Sequence, residues 1–382
     1  MKNIVVLCDG TANEFAADKT NVVKLASALI QDPARQVVYY HPGLGTMEPP
    51  GALTRPARWI TRVLGKAIGY GLASDVRDTY AFIMEQYEPG DRVYLFGFSR
   101  GAYTVRAVAA LIRLYGLIPK GNAALVPYAV RMFTSIDDGT EGAGARDAYF
   151  RLAAEFKACF GAARACRPHF LGVWDTVSSV GWIGNPLRLP HAARNPSVRH
   201  VRHAIAIDER RAFFRTNVFG DVTPDPGQPA QDLKQVWFPG VHCDVGGGYP
   251  EHESELSQVA LKWMAEEAVA LGLLVDPVRL AASTIMTAVE PAAGTEAMHE
   301  SLTWHWWPAE LLPKRHFESA RKRQGWRMNL FRRRVVPPGS LVHERAKRMG
   351  GSYLVKLPGD VTFVATGASV SGWGEAVPHT MA

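Results

Sequence analysis

Residues 92–103 read RVYLFGFSRGAY and carry the most informative local pattern in the chain. An apolar run suited to a buried strand leads into Gly97-Phe98-Ser99-Arg100-Gly101, and residues 101–118 then have the spacing of an apolar helix. A sharp strand-to-helix turn needs small residues on both sides of its central residue, because side chains there would crowd the backbone. The pattern therefore favours Ser99 as an outward-facing nucleophile at a strand end. The alternative is an ordinary turn serine.

The segments on both sides of this turn alternate between strand-like and helix-like patterns. Strands are predicted at 3–8, 36–41, 92–98, 169–177, 201–208 and 234–242, and helices at 20–30, 73–87, 101–118, 146–160 and 256–273. Ser74 is expected to open the helix at 73–87. The alternation predicts an α/β fold with a mostly parallel central sheet flanked by helices, and the strand-turn-helix around Ser99 makes that fold α/β-hydrolase-like.

The chain is predicted to form one domain over residues 1–382. An insertion at 119–165 is a candidate lid or cap, and residues 295–382 form a C-terminal elaboration of the fold. Within that elaboration, residues 352–366 resemble a hairpin with Pro358-Gly359-Asp360 at its turn.

Composition is that of a globular protein, with 47% hydrophobic and 21% charged residues. No run approaches the roughly 18 apolar residues of a spanning helix, and MKNIVVLCDG is broken too early for a secretion signal. We therefore expect a protein made in the cytoplasm without a signal peptide, not transmembrane, that a secretion machine could still export. Four cysteines do not suggest a disulfide framework, and no spacing indicates a metal or another cofactor.

The chain has a net charge of +7, and its excess of positive charge is concentrated in residues 314–334, KRHFESARKRQGWRMNLFRRR. This run is either a solvated surface or a contact for an anionic partner such as a phospholipid membrane. Nucleic acid is not expected, since no nucleic-acid-binding motif accompanies the charge. The preceding Trp304, Trp306 and Trp307 are candidate membrane or substrate contacts; the alternative is that they pack the C-terminal third onto the sheet.

A serine nucleophile needs a base, and the base needs a group that orients it. In hydrolases built on this turn, the order along the chain is serine, acid, histidine. His242 is the favoured base, because it ends an apolar strand and enters the glycine-rich turn PGVHCDVGGGYP. The alternative is a structural histidine that holds this turn.

Three carboxylates compete for the role of the acid. Asp175 follows the strand FLGVW directly and is preferred, whereas Asp208 ends HAIAID beside Arg210 and Arg211, which favours a structural ion pair. Asp244 lies two residues after His242 and is better placed to fix the glycine turn.

Backbone N–H groups are predicted to form the oxyanion hole. Arg100 lies at the amino end of a helix and supplies one N–H, and Gly10 or Thr11 in CDGTANE supplies the second. Asp9 is expected to brace this loop; a plain turn is the alternative, and a metal site at Asp9 and Asp244 lacks a spacing signature.

Six motifs together resemble a known family. In chain order they are CDGTANE, TNVVKLASAL, FGFSRGAYTVR, GVWDTVSSVG, AIAIDERR and WFPGVHCDVGGGYPE. They resemble the bacterial α/β-hydrolase domain whose best-known members are antibacterial phospholipase effectors of the type VI secretion system. The resemblance extends from residue 2 to about residue 275, and more loosely to about residue 350. It implies a triad of Ser99, Asp175 and His242 and therefore places Asp175 above Asp208.

The resemblance implies ester hydrolysis, most directly of phospholipids, by an enzyme of the phospholipase A or lipase type without a cofactor. It implies toxicity, secretion and an immunity partner less directly, because many members are not effectors. Another esterase, a thioesterase, a polyester depolymerase and an inactive lipid-binding module remain alternatives.

Overall fold

Parallel strands form the centre of the protein. The computed structural model describes residues 1–10, 18–43, 66–135, 143–161, 165–177, 181–182, 185–186, 189–212, 214–284, 298–311, 313–318 and 323–366. The strands are β1 (Asn3–Cys8), β2 (Gln36–His41), β3 (Arg92–Phe98), β4 (Phe170–Trp174), β5 (Gly181–Trp182), β6 (Asn185–Pro186), β7 (His200–Ala206), β8 (Asp232–Phe238), β9 (Lys314–Glu318), β10 (Arg323–Arg327), β11 (Leu341–His343) and β12 (Thr362–Val364).

The main sheet has the order β12-β11-β8-β7-β4-β3-β1-β2, and every neighbouring pair in it is parallel. Two antiparallel ribbons, β5 with β6 and β9 with β10, stand apart from it. Because the main strands all run the same way, their carboxyl ends share one edge, where reactive residues of such sheets collect.

Helices cover both faces of the sheet, so the predicted α/β architecture is confirmed. They are α1 (Asn21–Ala28), α2 (Lys66–Gln86), α3 (Arg100–Tyr115), α4 (Val126–Thr134), α5 (Ala143–Phe156), α6 (His242–Gly246), α7 (Glu255–Val269), α8 (Pro277–Thr284), α9 (Trp307–Leu311), α10 (Arg345–Arg348) and α11 (Gly351–Leu354). No helix within the described residues combines the length and apolarity needed to span a membrane.

Strand β1 contributes to both apolar cores. Ile4 and Val6 belong to the core that includes residues of α2, α3 and α4, whereas Val5 and Leu7 belong to the core that includes residues of α1, α7 and α8. Successive side chains of a strand point to opposite faces, so a strand covered on both faces is apolar throughout. This explains why NIVVLC shows no polar alternation.

The predicted start of one helix is confirmed, and the predicted start of another is wrong. Thr20 caps α1, and its hydroxyl accepts the Val23 N–H at 3.3 Å. The prediction that Ser74 opens a helix is wrong, because α2 already begins at Lys66. Ser74 lies inside the helix, where its hydroxyl is 3.4 Å from Asp78 Oδ2.

The predicted hairpin at residues 352–366 is also wrong. The described part of this segment contains α11 and then β12, which pairs in parallel with β11. Tyr353 is buried in a third apolar cluster with Trp237 and Val342, and its hydroxyl donates to Asp208 Oδ2 at 2.5 Å. This burial holds the segment as a helix against the sheet.

In the 119–165 insertion, α4 and α5 pack onto the body of the protein. Phe133 and Phe156 from these helices are buried in the first core. The role of the insertion as a lid or cap remains a prediction, and residues 136–142 lie outside the described residues.

Candidate active site

Ser99 occupies a strained strand-to-helix turn at the carboxyl end of β3. Its φ is +57°, which is rare for a residue with a side chain. A Cβ on Gly97 would lie 2.5 Å from the Gly101 carbonyl oxygen, and one on Gly101 would lie 2.1 Å from that of Cys8. Both glycines are therefore required sterically. Within the described chain, the Ser99 hydroxyl does not cap α3.

Asp175 lies beside Ser99 at the end of the neighbouring strand. Strands β3 and β4 pair Phe98 with Trp174, so Ser99 and Asp175 are the next residues on the two strands. The Ser99 N–H donates to the Trp174 carbonyl at 3.2 Å. Asp175 is fully buried and also has a positive φ, +35°.

His242 follows β8 and contacts Asp175 directly. Its Nδ1 lies 2.6 Å from Asp175 Oδ2. The imidazole contacts the rings of Phe98 and Phe214, at centroid distances of 4.6 and 4.8 Å. Phe98 immediately precedes Ser99, so the histidine lies against the residue that leads into the turn.

Burial lowers the pKa of His242 and outweighs the opposing hydrogen bond and charge of Asp175. The imidazole is therefore neutral at neutral pH. An Nδ1–H directed at Asp175 leaves Nε2 as the basic nitrogen. His242 can thus accept a proton at Nε2, and the Asp175 carboxylate can stabilise the resulting imidazolium charge.

Arg334 also binds Asp175, a contact that no sequence pattern indicated. Its Nη1 lies 2.6 Å from Oδ1 and its Nη2 lies 3.0 Å from Oδ2. Burial by itself would raise the pKa of Asp175, but the charge of Arg334 and the His242 hydrogen bond hold it well below its usual range. Arg334 belongs to the basic run that the sequence indicated as surface or anionic contact.

Glu209 is a second buried carboxylate at the site. It accepts the His242 N–H at 3.2 Å and pairs with the Arg211 guanidinium at 2.9 Å. Burial opposes ionisation, yet the hydrogen bond and charge of Arg211 lower the pKa of Glu209 to about 2. Arg211 in turn lies over the Phe214 ring, 3.6 Å from its centroid. Glu209 and Arg211 both belong to the motif AIAIDERR, but the motif did not indicate these contacts.

The structure brings neither Asp208 nor Asp244 to the imidazole. Asp208 Oδ2 accepts the Gly240 N–H at 2.9 Å and the Tyr353 hydroxyl, rather than forming the expected ion pair. Asp244 accepts the Val241 N–H and lies 2.6 Å from Nδ1 of His299, so it fixes the turn after β8.

Asp9 braces the loop after β1. Its Oδ2 accepts the Thr20 hydroxyl at 2.6 Å and the Tyr40 hydroxyl at 3.1 Å, and its Oδ1 accepts the Gly10 N–H at 2.7 Å. The Gly10 N–H expected in the oxyanion hole is thus already bonded to Asp9. Thr11 lies outside the described residues.

The family model described as "T6SS, Phospholipase effector Tle1-like, catalytic domain" matches residues 2–267. The chain belongs to this family. The matched residues end before Arg334.

One curated protein is similar to this Tle1-like chain. The uncharacterized protein YEL023C of Saccharomyces cerevisiae is 34% identical over 234 residues, which are 60% of this chain and 34% of the relative. The chain therefore spans about a third of the length of that relative.

Two solved structures are similar at low identity. An uncharacterized protein from Pseudomonas aeruginosa is 20% identical with a TM-score of 0.43, covering 75% of this chain and 48% of that one. The Tle1 effector bound to the VgrG spike of the type 6 secretion system is 14% identical with a TM-score of 0.39, covering 75% and 76%.

The three tryptophans of this Tle1-like chain divide between surface and site. Trp304 and Trp307 are 68% and 54% exposed. Trp306 is half-buried, and its ring lies edge-on to Phe214 at 5.7 Å. The segment is anchored by buried Glu310, which accepts the Ala212 N–H at 2.6 Å. One tryptophan thus packs beside the site and two face outward.

No cluster of three or more His, Cys, Asp or Glu side chains suited to a metal ion occurs in the described part of the chain.

Proposed function

We propose that the protein is a serine-dependent carboxylic ester hydrolase of the phospholipase or lipase type. The observation that carries this proposal is the 2.6 Å contact of His242 Nδ1 with Asp175 Oδ2, at the sheet edge where Ser99 directly follows the adjacent strand β3. Family membership supports the lipid substrate class.

In this proposal Ser99 Oγ attacks the ester carbonyl carbon while His242 Nε2 accepts the hydroxyl proton. The tetrahedral intermediate collapses to an acyl-Ser99 as His242 returns that proton to the leaving alcohol. His242 Nε2 then takes a proton from a water molecule as its oxygen attacks the acyl carbon. The intermediate collapses to the fatty acid, and His242 returns the proton to Ser99 Oγ, which restores the serine hydroxyl and the neutral base. Asp175 orients the imidazole and stabilises its charged form while remaining ionised.

We assign the first oxyanion donor to the Arg100 N–H, at the amino end of α3 directly after Ser99. The loop after β1 is our candidate for the second donor. The Gly10 N–H could serve only by leaving Asp9 Oδ1, which makes the Thr11 N–H the alternative. Loss of one such donor raises the barrier by about 3 kcal/mol.

We further propose that the outward-facing tryptophans contact an anionic membrane surface. Two further apolar side chains of the C-terminal third are also exposed, Leu311 at 53% and Leu330 at 48%. Arg332 and Arg333 follow and are exposed. Aromatic rings favour the headgroup region and cations favour lipid phosphates. From the family name we also propose that a type VI secretion machine exports this chain and that an immunity protein binds it.

Labelling by a fluorophosphonate probe tests the nucleophile. We expect the purified protein to be labelled and Ser99→Ala to be unlabelled, with half-buried Ser283→Ala, on α8, labelled like the wild type. Labelling that persists in Ser99→Ala would overturn the assignment, and an unlabelled wild type would favour a binding module.

A substrate panel then tests the ester class. Products from phospholipid vesicles are identified by mass spectrometry and compared with hydrolysis of p-nitrophenyl esters, thioesters and a polyester. Release of fatty acid from phospholipid is expected, and activity confined to another substrate would reassign the enzyme to that class.

A further inference from the structure

Arg334 and His242 bind the same carboxylate from two sides. The Arg334 guanidinium spans both Asp175 oxygens, and one of these oxygens, Oδ2, also contacts His242 Nδ1. We propose that Arg334 is a positioning residue that fixes the Asp175 carboxylate and shares its charge, so that His242 remains a neutral base to lower pH. This inference rests on the proposed function.

The surroundings of Arg334 are built to hold a planar guanidinium. Its side chain is only 7% exposed. Besides Asp175, Nη1 donates to the Ala206 carbonyl at 2.8 Å and Nη2 to the Phe214 carbonyl at 2.5 Å. A lysine ammonium has a single nitrogen, so it cannot reproduce this pattern of two parallel bonds. The side chain is thus tied to the end of β7 and to the loop that carries Phe214.

Arg334 comes from outside the part of the chain that defines the family. The family model ends at residue 267. Beyond that point, Val336 is buried in the third apolar cluster with Val342 and Tyr353, which anchors the segment that carries Arg334. The C-terminal third therefore contributes directly to the electrostatics of the site.

The charged groups around the imidazole determine the direction of the effect. Asp175 and Glu209 favour imidazolium, whereas Arg211 opposes it. Burial and the charge of Arg106 lower the pKa of neighbouring His203 to about 3, so His203 is neutral near pH 7. Removing Arg334 leaves the full Asp175 charge on His242 and therefore stabilises imidazolium.

The test compares Arg334→Gln, Arg334→Lys and the control Arg35→Gln. Arg35 is exposed at the amino end of β2, at the sheet edge opposite the site, and its replacement removes the same charge. For a soluble p-nitrophenyl ester, Arg334→Gln should lower kcat about tenfold and move the acidic limb of kcat/KM upward by about one pH unit. Arg334→Lys should restore the position of the limb but keep a reduced kcat with unchanged KM, and Arg35→Gln should match the wild type.

A ¹⁵N NMR titration of His242, assigned with His242→Gln, gives a readout that needs no substrate. The pKa of His242 should be higher in Arg334→Gln than in the wild type. A limb and an imidazole pKa that stay in place or move downward in folded Arg334→Gln would overturn the inference. If Arg334→Gln does not fold, full wild-type kcat in Arg334→Lys would show a purely structural role. An unlabelled and inactive wild type would instead contradict the proposed function, while the NMR comparison still decides the role of Arg334.

Discussion

Gly97 and Gly101 meet backbone to backbone, so closely that a Cβ on Gly97 would lie 2.5 Å from the Gly101 carbonyl oxygen. This approach bends the chain sharply between β3 and α3 and holds Ser99 at φ +57°. The turn therefore requires glycine at both positions.

Gly101→Ala should unfold at lower temperature and lose most activity. Its new Cβ would meet the Cys8 carbonyl oxygen at 2.1 Å, and overpacking of this kind destabilises by about 1–3 kcal/mol. Differential scanning fluorimetry and probe labelling measure both effects. Gly144→Ala is the matched control, because a Cβ at that helical position meets nothing within 4 Å. Equal behaviour of the two variants would contradict the steric account.

Asp175→Asn should reduce kcat by about 10³–10⁴-fold, because the amide cannot stabilise the imidazolium or hold the productive tautomer. Asp208→Asn should keep most activity, since Asp208 bonds to Gly240 and Tyr353 rather than to His242. Steady-state kinetics on one soluble ester compares the two variants. The reverse ranking would make Asp208 the acid.

The acidic limb of kcat/KM should lie below pH 6.5, the ordinary pKa of histidine. Burial lowers the pKa of His242, so the neutral base persists as pH falls and is lost only when pH passes below that lowered value. Activity is therefore full near neutrality and declines on acidification. A limb above pH 7 for a soluble ester would show that a different group controls the reaction.

Glu209→Gln should destabilise the fold by about 3 kcal/mol near pH 7, because it leaves the Arg211 charge without its buried partner. The folded pKa of Glu209 is about 2, below the unfolded value near 4.3. The stabilisation is therefore present above pH ~4.3 and is lost as pH falls towards 2. Urea unfolding at pH 7 and pH 3 measures it. Exposed Glu344→Gln should change little at either pH, and an equal loss in both variants would contradict this account.

The double variant Trp304→Ala/Trp307→Ala should bind anionic vesicles at least tenfold more weakly and hydrolyse a soluble ester at the wild-type rate. Both rings are more than half exposed, so their removal leaves the buried site intact. Vesicle co-sedimentation measures binding. Val278→Ala, at a 76% exposed apolar position on α8, is the control. Unchanged vesicle binding by the double variant would remove the proposed membrane contact.

Local patterns in the sequence were sufficient for the sheet and for the turn at Ser99. Alternating segments predict parallel strands with helices on both faces, and the two glycines predict the bend because their effect is steric and local. Its position directly after a strand favoured Asp175 over Asp208, and the family resemblance strengthened that preference. Both follow a strand, and the partner of each depends on which loop folds over it.

The C-terminal third shows where local patterns fail. The segment expected to form a hairpin is instead held by the burial of Tyr353, whose hydroxyl bonds to Asp208, 145 residues away. Arg334 lies among the other cations of the basic run, so its contact with Asp175, 159 residues away along the chain, was not predicted.

Strand periodicity and glycine sterics act over a few residues, so local sequence was enough to predict the parallel sheet, the sharp turn at Ser99 and the candidate base. The contact of His242 with Asp175, the bond of Asp208 with Tyr353 and the binding of Arg334 to Asp175 became visible only in the folded chain. These contacts join segments distant in the chain, and their energies arise from burial and charge pairing that exist only after the segments have packed together.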